Sequence, residues 1–468
     1  MSTLHDEQIP TREKVLVVGA GPAGLAAAAA LKALDVPFDL VDRAAHVGGI
    51  WNLDREDSPV WPALEMVSSR DFTQFEDMLQ PASYPTFLDP GRMAKYLRAY
   101  AARHELTDHF LPRTEVRYAK PFGEGTWQVE LSTGHVHVYR AIIAAHGISD
   151  RPHRPAWAAD LPSSTQVLDA RDWNGGDGLE GRRVVVVGSG QSAADIAVDA
   201  ARRAGWVHWS VRTGHWIVPR RIGPVPGDVA AAREPALLGR VNARIADLVA
   251  RGTVGDPADL GLPRPTADVL DDRVIISDDV ADRIREGRIT PAADVSSVTA
   301  DGDLQLVDGT VLGADVVILA TGYEQGAGYL PRDIVPRTAS GSPDLFLGAF
   351  PRSRDDLVLL GQLRVSGGVL PVLVEQADVA AYFLRAVRED APAADAFRRL
   401  RTGADASVRR RTVQDAGLLG RLRGALDSAA DVQRRTPSPE SGAAEGLVPF
   451  VDRDELLDRL RAARGLFR

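Results

Sequence analysis

The stretch KVLVVGAGPAG, residues 14–24, decides the reading of the chain. Four apolar residues follow Lys14 without alternation, the pattern of a strand covered on both faces. Glycines come next at 19, 21 and 24, and the alanine- and leucine-rich run after them, to about Leu34, has helical composition. A second apolar run, Phe38–Val41, closes on Asp42. Strand, glycine turn, helix, strand and acid in that order make a βαβ unit of the dinucleotide-binding kind. The first N–H groups of such a helix lack partners and sit at the positive end of its dipole, so the turn attracts an anion. Gly19 makes the tight turn, Gly21 lets the backbone approach a pyrophosphate, and Gly24 lets helix pack on strand, with Pro22 and Ala23 completing the loop. Asp42 stands where a carboxylate takes ribose hydroxyls.

The same grammar returns at RVVVVGSGQSA, residues 183–193. Gly188, Ser189, Gly190, Gln191 and Ser192 form the turn, a helix is expected over Ser192–Ala204, and Val207–Val211 reads as the next strand. This strand ends on Arg212 instead of an acid. A carboxylate there would repel a ribose 2′-phosphate, whereas a guanidinium clamps it, so the pattern favours NADPH over NADH. Gln191 either reaches a bound nicotinamide or a reactant pocket beside it, or serves as a polar residue at the helix start.

The fold class that follows is α/β, with two Rossmann-like dinucleotide-binding domains. Residues 1–174 form the first part of the first dinucleotide domain. Residues 175–325 form the second, NADPH-type domain, with a helical and loop insertion at about 223–290. Residues 326–468 return to the first domain as a mostly helical part. Gly175-Gly176-Asp177-Gly178 reads as the domain joint. A helix is expected near Gly91–Arg103, a hairpin-like stretch near Val116–Val138 and a strand at Arg140–Ala145. Further expectations are a helical piece near Leu237–Ala250, strands at Leu304–Leu312 and Asp315–Leu319, a mobile polar loop at Asp427–Gly446 and a last amphipathic helix at Glu455–Leu466.

Composition narrows the chemistry. Of 468 residues, 44% are hydrophobic and 25% charged, the balance of a folded globular protein. A net charge of -9 is a poor match for a phosphate backbone, so no nucleic-acid partner is expected. No apolar run approaches the roughly 18 residues of a membrane span. The opening MSTLHDEQIPTREK has no basic stretch leading into an apolar one, so the expectation is a cytoplasmic protein without membrane partners. Cysteine is absent, which excludes disulfides, a thiolate nucleophile, cysteine-held zinc and iron–sulfur clusters. The 10 histidines show no ligand spacing, and no metal is expected. Redox chemistry must run through bound organic cofactors.

Gly19–Gly24, Asp42-Arg43, Gly48-Gly49-Ile50-Trp51, Gly188–Ser192 and Ala320-Thr321-Gly322-Tyr323 together resemble the flavin-containing monooxygenase family, the class B flavoprotein monooxygenases that include Baeyer–Villiger enzymes. Leu64-x-x-Val67-x-x-Arg70 with Phe75 resembles the segment of that family that faces the flavin. Trp216–Arg220 resembles its segment after the second unit, and Glu375-Gln376-Ala377 its C-terminal helix start. The resemblance implies FAD on the first turn, with Asp42, Arg43, Gly49, Ile50, Trp51, Val116, His146, Thr321 and Gln376 about it. NADPH would lie on Gly188–Ser192 and Arg212. Dioxygen and a small organic substrate complete the reaction. One oxygen atom passes from a flavin hydroperoxide to an amine or sulfide, or is inserted beside a ketone. A homodimer is allowed for.

Three positions depart from the family pattern. Val67 stands where the family has an asparagine, and His146 where an ATG-like element has threonine. The segment Ser163–Trp173 keeps only Trp173 of the motif F-x-G-x-x-x-H-x-x-x-Y/W, with Asp169 in place of its histidine. Val67 cannot donate a hydrogen bond, so partial uncoupling with release of peroxide is expected. The rival readings are an NADPH oxidase or quinone reductase without oxygen transfer, and a non-catalytic dinucleotide-binding scaffold.

Overall fold

The computed structural model describes residues 10–232, 252, 254–265, 274–403 and 450–467, except 56, 124, 325, 339–340, 366–367 and 452. The expected helical piece at Leu237–Ala250 and loop at Asp427–Gly446 lie outside the described residues.

Two five-stranded parallel sheets organise the chain. The first runs in the order Leu357–Leu359, Ala141–Ala144, Val15–Val18, Phe38–Val41, Phe110–Leu111. Every residue of Val15–Val18 and of Ala141–Ala144 is buried, which is why those runs are apolar throughout. The second sheet runs Ile289–Ala292, Trp206–Ser210, Arg183–Val187, Val316–Leu319, Gln166–Asp169. Its edge strand Gln166–Asp169 lies before Gly175–Gly178 in the chain. The chain crosses at Arg151–Pro152 and returns at Tyr323–Glu324, and these two short strands pair antiparallel.

Helix Pro22–Ala33 carries proline in its first turn, where no N–H is needed, and Ala26 through Ala30 are all buried. That alanine stripe lets the helix lie close to both the first sheet and the long helix Leu370–Arg388. Helix Pro90–Arg103 begins on Asp89, whose side chain accepts the N–H of Arg92. The hairpin-like stretch is a three-stranded antiparallel sheet, Val116–Pro121, Trp127–Leu131 and Val136–Tyr139. In the second unit the helix after the turn spans Gln191–Ala200, one residue earlier at its start and shorter at its end than expected. The C-terminal part returns to the first core through Leu357–Leu359 and helices Leu370–Arg388, Pro392–Thr402 and Arg453–Arg464.

Candidate functional site

Both glycine turns lie at the carboxyl ends of their central strands, at the start of a helix with a glycine N-cap and no side-chain cap. In the first, Gly19 has φ +105, and a Cβ on it would stand 2.5 Å from the Ala145 carbonyl oxygen. A Cβ on Gly24 would stand 1.7 Å from the Gly19 oxygen. Gly21 and Gly49 meet backbone to backbone: a Cβ on Gly49 would be 2.7 Å from Gly21 Cα. The Gly48 N–H donates to the Ala20 oxygen at 2.9 Å, which docks the turn Gly49–Trp51 on the first cradle. A cradle cleared of side chains, with uncapped helix N–H groups, fits the pyrophosphate of a dinucleotide.

Asp42 is buried, and both its oxygens accept backbone N–H groups, Oδ2 from Ala20 at 2.7 Å and Oδ1 from Ala44 at 2.8 Å. It therefore closes the turn, and each oxygen retains a second lone pair for a ribose hydroxyl. Arg43 bridges Asp57 at 2.7 Å and Asp150 at 2.9 Å. Ile50 and Trp51 are half-buried, Trp51 against the first core. Val116 is buried at the start of its strand. His146, just past Ala141–Ala144, sets its ring edge-on to Tyr329 at 5.7 Å between centroids, with Nδ1 3.4 Å from the tyrosine oxygen. Burial pushes the His146 imidazole down to about 4, so it is neutral near pH 7. Gln376 is fully buried: its Nε2 donates to the Leu347 oxygen at 3.0 Å and its Oε1 accepts the Gly361 N–H at 3.3 Å. The Thr321 hydroxyl donates to the His153 carbonyl at the crossing.

Val67 is half-buried in the loop before the short helical turn Arg70–Phe72. That loop is tied to the second unit's insertion on both sides of it. Arg220 reaches Glu65 at 2.6 Å, and the Ser69 N–H donates to Asp228 at 2.6 Å.

In the second turn Gly188 has φ +147, and a Cβ there would stand 2.3 Å from the Ala320 oxygen. Around Gly190 the space is open: a Cβ would meet nothing within 4 Å. The Ser189 hydroxyl oxygen accepts the N–H groups of Arg212 and Thr213, both at 3.1 Å, and so fixes the loop that carries Arg212. Arg212 is exposed, and its guanidinium makes no ion pair among the described residues. Ser192 is exposed on the first helical turn. Gln191 is engaged on both sides of its amide: Nε2 donates to Ile276 O and to Asp195 Oδ1, each at 2.9 Å, and Oε1 accepts the Ile276 N–H at 2.8 Å. Burial pushes the Asp195 carboxyl up to about 7, against the Gln191 hydrogen bond and the charge of Arg220. Sequence reasoning missed Asp195 and Asp57, and took Arg220 and Arg43 only as members of family-like segments. The i, i+4 spacing of Gln191 and Asp195 was the one signal available for the first of these.

Among the described residues no group of three or more His, Cys, Asp or Glu is placed to hold a metal, and no helix is long and apolar enough to cross a membrane.

Two parallel-sheet units in one chain, each with its own glycine cradle, define a fold with two dinucleotide-binding-type domains. Residues 12–412 match the family described as flavin-binding monooxygenase-like, and the chain belongs to that family. It is 26% identical over 338 residues to an indole-3-pyruvate monooxygenase of Oryza sativa subsp. japonica, spanning 71% of this chain and 80% of that one. It is 26% identical over 387 residues to flavin-containing monooxygenase 2 of Homo sapiens, spanning 78% and 72%. Cyclohexanone monooxygenase from Rhodococcus sp. Phi1, solved bound to NADP+, shares the fold at a TM-score of 0.66 and 18% identity, covering 98% of this chain and 97% of that one. The flavin-containing monooxygenase from Stenotrophomonas maltophilia shares it at 0.61 and 19% identity, covering 80% and 98%. The protein is a flavin-dependent monooxygenase.

Proposed function

We propose that the enzyme consumes NADPH and dioxygen to place one oxygen atom on a small organic molecule: on the nitrogen or sulfur of an amine or sulfide, or beside the carbonyl of a ketone. The observation that carries this reading is the pair of open cradles, Gly19–Gly24 and Gly188–Ser192, each at the carboxyl edge of its own parallel sheet. When bound, FAD supplies the redox chemistry, taking reducing equivalents from NADPH and passing them to dioxygen. The chain's own residues bind, orient and shield. The N–H groups at the start of Pro22–Ala33 hold the FAD pyrophosphate, Asp42 keeps that turn closed, and Gly48–Trp51 lies along the flavin. The N–H groups of Gln191–Ala200 hold the NADPH pyrophosphate, and Arg212 takes the 2′-phosphate. Gln191, clasped to Ile276, positions the helix start and leaves no free amide for proton transfer. Val67 excludes water without offering a donor.

In this reading the FAD domain is built from residues up to about 150 and from about 326 onward, and the NADPH domain from the residues between the crossings. A cytoplasmic location, and a homodimer if one forms, accord with it. A second reading, an NADPH oxidase without oxygen transfer, is favoured by Val67 alone. One experiment separates them. The purified protein, first checked for flavin absorbance, is given NADPH, isotope-labelled dioxygen and a panel of amines, sulfides and ketones. Product gaining one labelled oxygen supports the monooxygenase. NADPH consumption matched entirely by peroxide supports the oxidase.

A further inference from the structure

The segment Asp169–Trp173 replaces most of a family signature, and its side chains do something specific here. It leaves the edge strand of the second sheet and makes a short helical turn, Ala170–Asp172. Arg154, in the crossing segment, grips Asp169 with a two-pronged contact, Nε to Oδ1 at 2.9 Å and Nη2 to Oδ2 at 2.7 Å. Trp173 is buried and donates from Nε1 to Asp199 at 3.1 Å, which fastens the segment to helix Gln191–Ala200. Arg171, between them, turns the other way. Its guanidinium donates to the Asp150 carbonyl at the crossing and to Asp57 Oδ2 at 3.1 Å in the first unit.

Asp57 is where three arginines converge. Arg55 holds it with two contacts of 2.9 Å and Arg43 with one of 2.7 Å, and Arg43 also pairs with Asp150 at 2.9 Å. Burial alone would push the Asp57 carboxyl up, but the hydrogen bonds from Arg55 and the charges of Arg55, Arg43 and Arg171 hold it below the usual carboxylate range. Arg43 and Arg55 belong to the same unit as Asp57. Arg171 is the member that comes from the second unit, and its side chain is only 16% exposed. The cluster lies a few residues from Gly48–Trp51, and Arg171 a few residues from the strand end beside Leu319. Rotation of one unit against the other about an axis that does not pass through the cluster must stretch these contacts.

We propose that Arg171 is a positioning residue that sets the NADPH unit against the FAD unit, and thereby how closely a nicotinamide approaches the flavin. The proposal rests on the assignment of the two cradles made above. An ion pair that orients two bodies is sensitive to its partner's geometry: arginine's planar fork serves two acceptors at once, while lysine offers a point charge that reaches one. Displacing reacting groups by about 1 Å can slow a reaction on the order of a hundredfold without loss of binding.

Three measurements on the full-length holoprotein test it, in Arg171→Met, Arg171→Lys and the native chain. The first is anaerobic flavin bleaching by NADPH, which separates the reduction rate from the NADPH dissociation constant. The second is the radius of gyration from small-angle scattering. The third is protease cutting at residues 145–153. The Met variant should retain FAD and NADPH affinity but bleach roughly ten- to a hundredfold more slowly. It should also show a larger radius and faster cutting, with Lys intermediate. A Met variant that bleaches at the native rate with unchanged scattering overturns the proposal. So does one that loses FAD in proportion to activity, because that is a folding defect. If the native protein is not bleached by NADPH at all, the cradle assignment fails instead, and scattering and proteolysis alone decide whether Arg171 holds the units together.

Discussion

Arg212 follows the strand Trp206–Ser210, its guanidinium makes no ion pair among the described residues, and its backbone N–H is held by Ser189. A free guanidinium on a fixed loop is what a 2′-phosphate requires, and a charge-assisted contact of that kind contributes roughly 1.5–3 kcal/mol. Arg212→Ala should raise the NADPH dissociation constant about ten- to a hundredfold and leave that of NADH nearly unchanged. Titration with the two nucleotides reads this directly, and equal losses would make Arg212 a structural residue. Val67 is the second position where one side chain carries a consequence. Losing one preorganised donor at a reacting centre costs a few kcal/mol in enzymes where it has been removed, about 2.7–4. An isopropyl group still keeps water out, but the donor loss is the larger effect. The native enzyme should therefore release hydrogen peroxide with substrate present, and Val67→Asn should lower the peroxide formed per NADPH consumed. Tight coupling in the native chain, with oxygenation lost in the variant, would mean that the pocket is built around valine.

At the scale of elements, the two cradles differ in how much room they leave. Gly49 has φ +58 and its missing Cβ would stand 2.7 Å from Gly21 Cα, whereas a Cβ at Gly190 would touch nothing within 4 Å. Gly49→Ala should lower both melting temperature and flavin content, since a non-glycine residue in left-handed backbone alone costs about 1–2 kcal/mol. Gly190→Ala should melt as the native chain does and weaken only NADPH binding. If both variants behave alike, the second cradle is not a ligand site. The start of helix Gln191–Ala200 has its own pH dependence through Asp195. In the unfolded chain an aspartate ionises near 3.9, but here burial lifts it to about 7. The native state thus keeps a proton that the unfolded chain loses as pH rises. That contribution to stability is fully present below about pH 4 and is lost as pH climbs through about 7. Asp195→Asn keeps an acceptor for Gln191 and removes the ionisation. It should match the native protein near pH 4 and exceed it above pH 7 by on the order of 1–3 kcal/mol. A stability difference that does not change with pH would show that Asp195 titrates normally.

The elements also show which features sequence can carry. The two βαβ units were legible because their information is local: an unbroken apolar run, glycines at fixed spacing and a following helix all lie within about 30 residues. The edge strand Gln166–Asp169 was not, because four residues of mixed polarity have no periodicity to read. Gly175, Gly176 and Gly178 have positive φ, and Gln166–Asp169 of the second sheet lies before them in the chain. In the site, the cradle glycines were legible for the same local reason. The clasp of Gln191 on Ile276 joins residues 85 apart, and Arg171 reaches Asp57 across 114, so nothing in either neighbourhood announces the partner.

At the scale of the whole molecule, the last described α-helix packs back on the first core. Glu375, on helix Leu370–Arg388, is 2% exposed and meets Arg461 at 3.1 Å and Arg464 at 3.2 Å from Arg453–Arg464. Burial pushes the Glu375 carboxyl up, and the two arginines oppose it. Leu370–Arg388 in turn packs on Pro22–Ala33, the helix that begins at the first cradle. Arg464→Ala leaves a buried carboxylate half-paired and should destabilise the fold by on the order of 1–3 kcal/mol. Adding Glu375→Gln should restore part of that loss, because the neutral amide costs less to bury. Thermal melting of the single and double variants measures both steps. A double variant no more stable than the single one would show that the pair contributes through packing and not through charge.

The paired strands Arg151–Pro152 and Tyr323–Glu324 have one more consequence. In register, Tyr323 faces Pro152 and Glu324 faces Arg151, so the chain enters and leaves the second unit at adjacent points. Topologically the second unit is a cassette inserted into the first, whose sheet takes strands from both sides of it. A cassette with neighbouring ends can be excised, joined by a short linker, or exchanged for one with another nucleotide preference, and the host's parallel sheet is not interrupted. Nucleotide choice and oxygen chemistry can then be altered separately, by recombination at two sites a few ångströms apart.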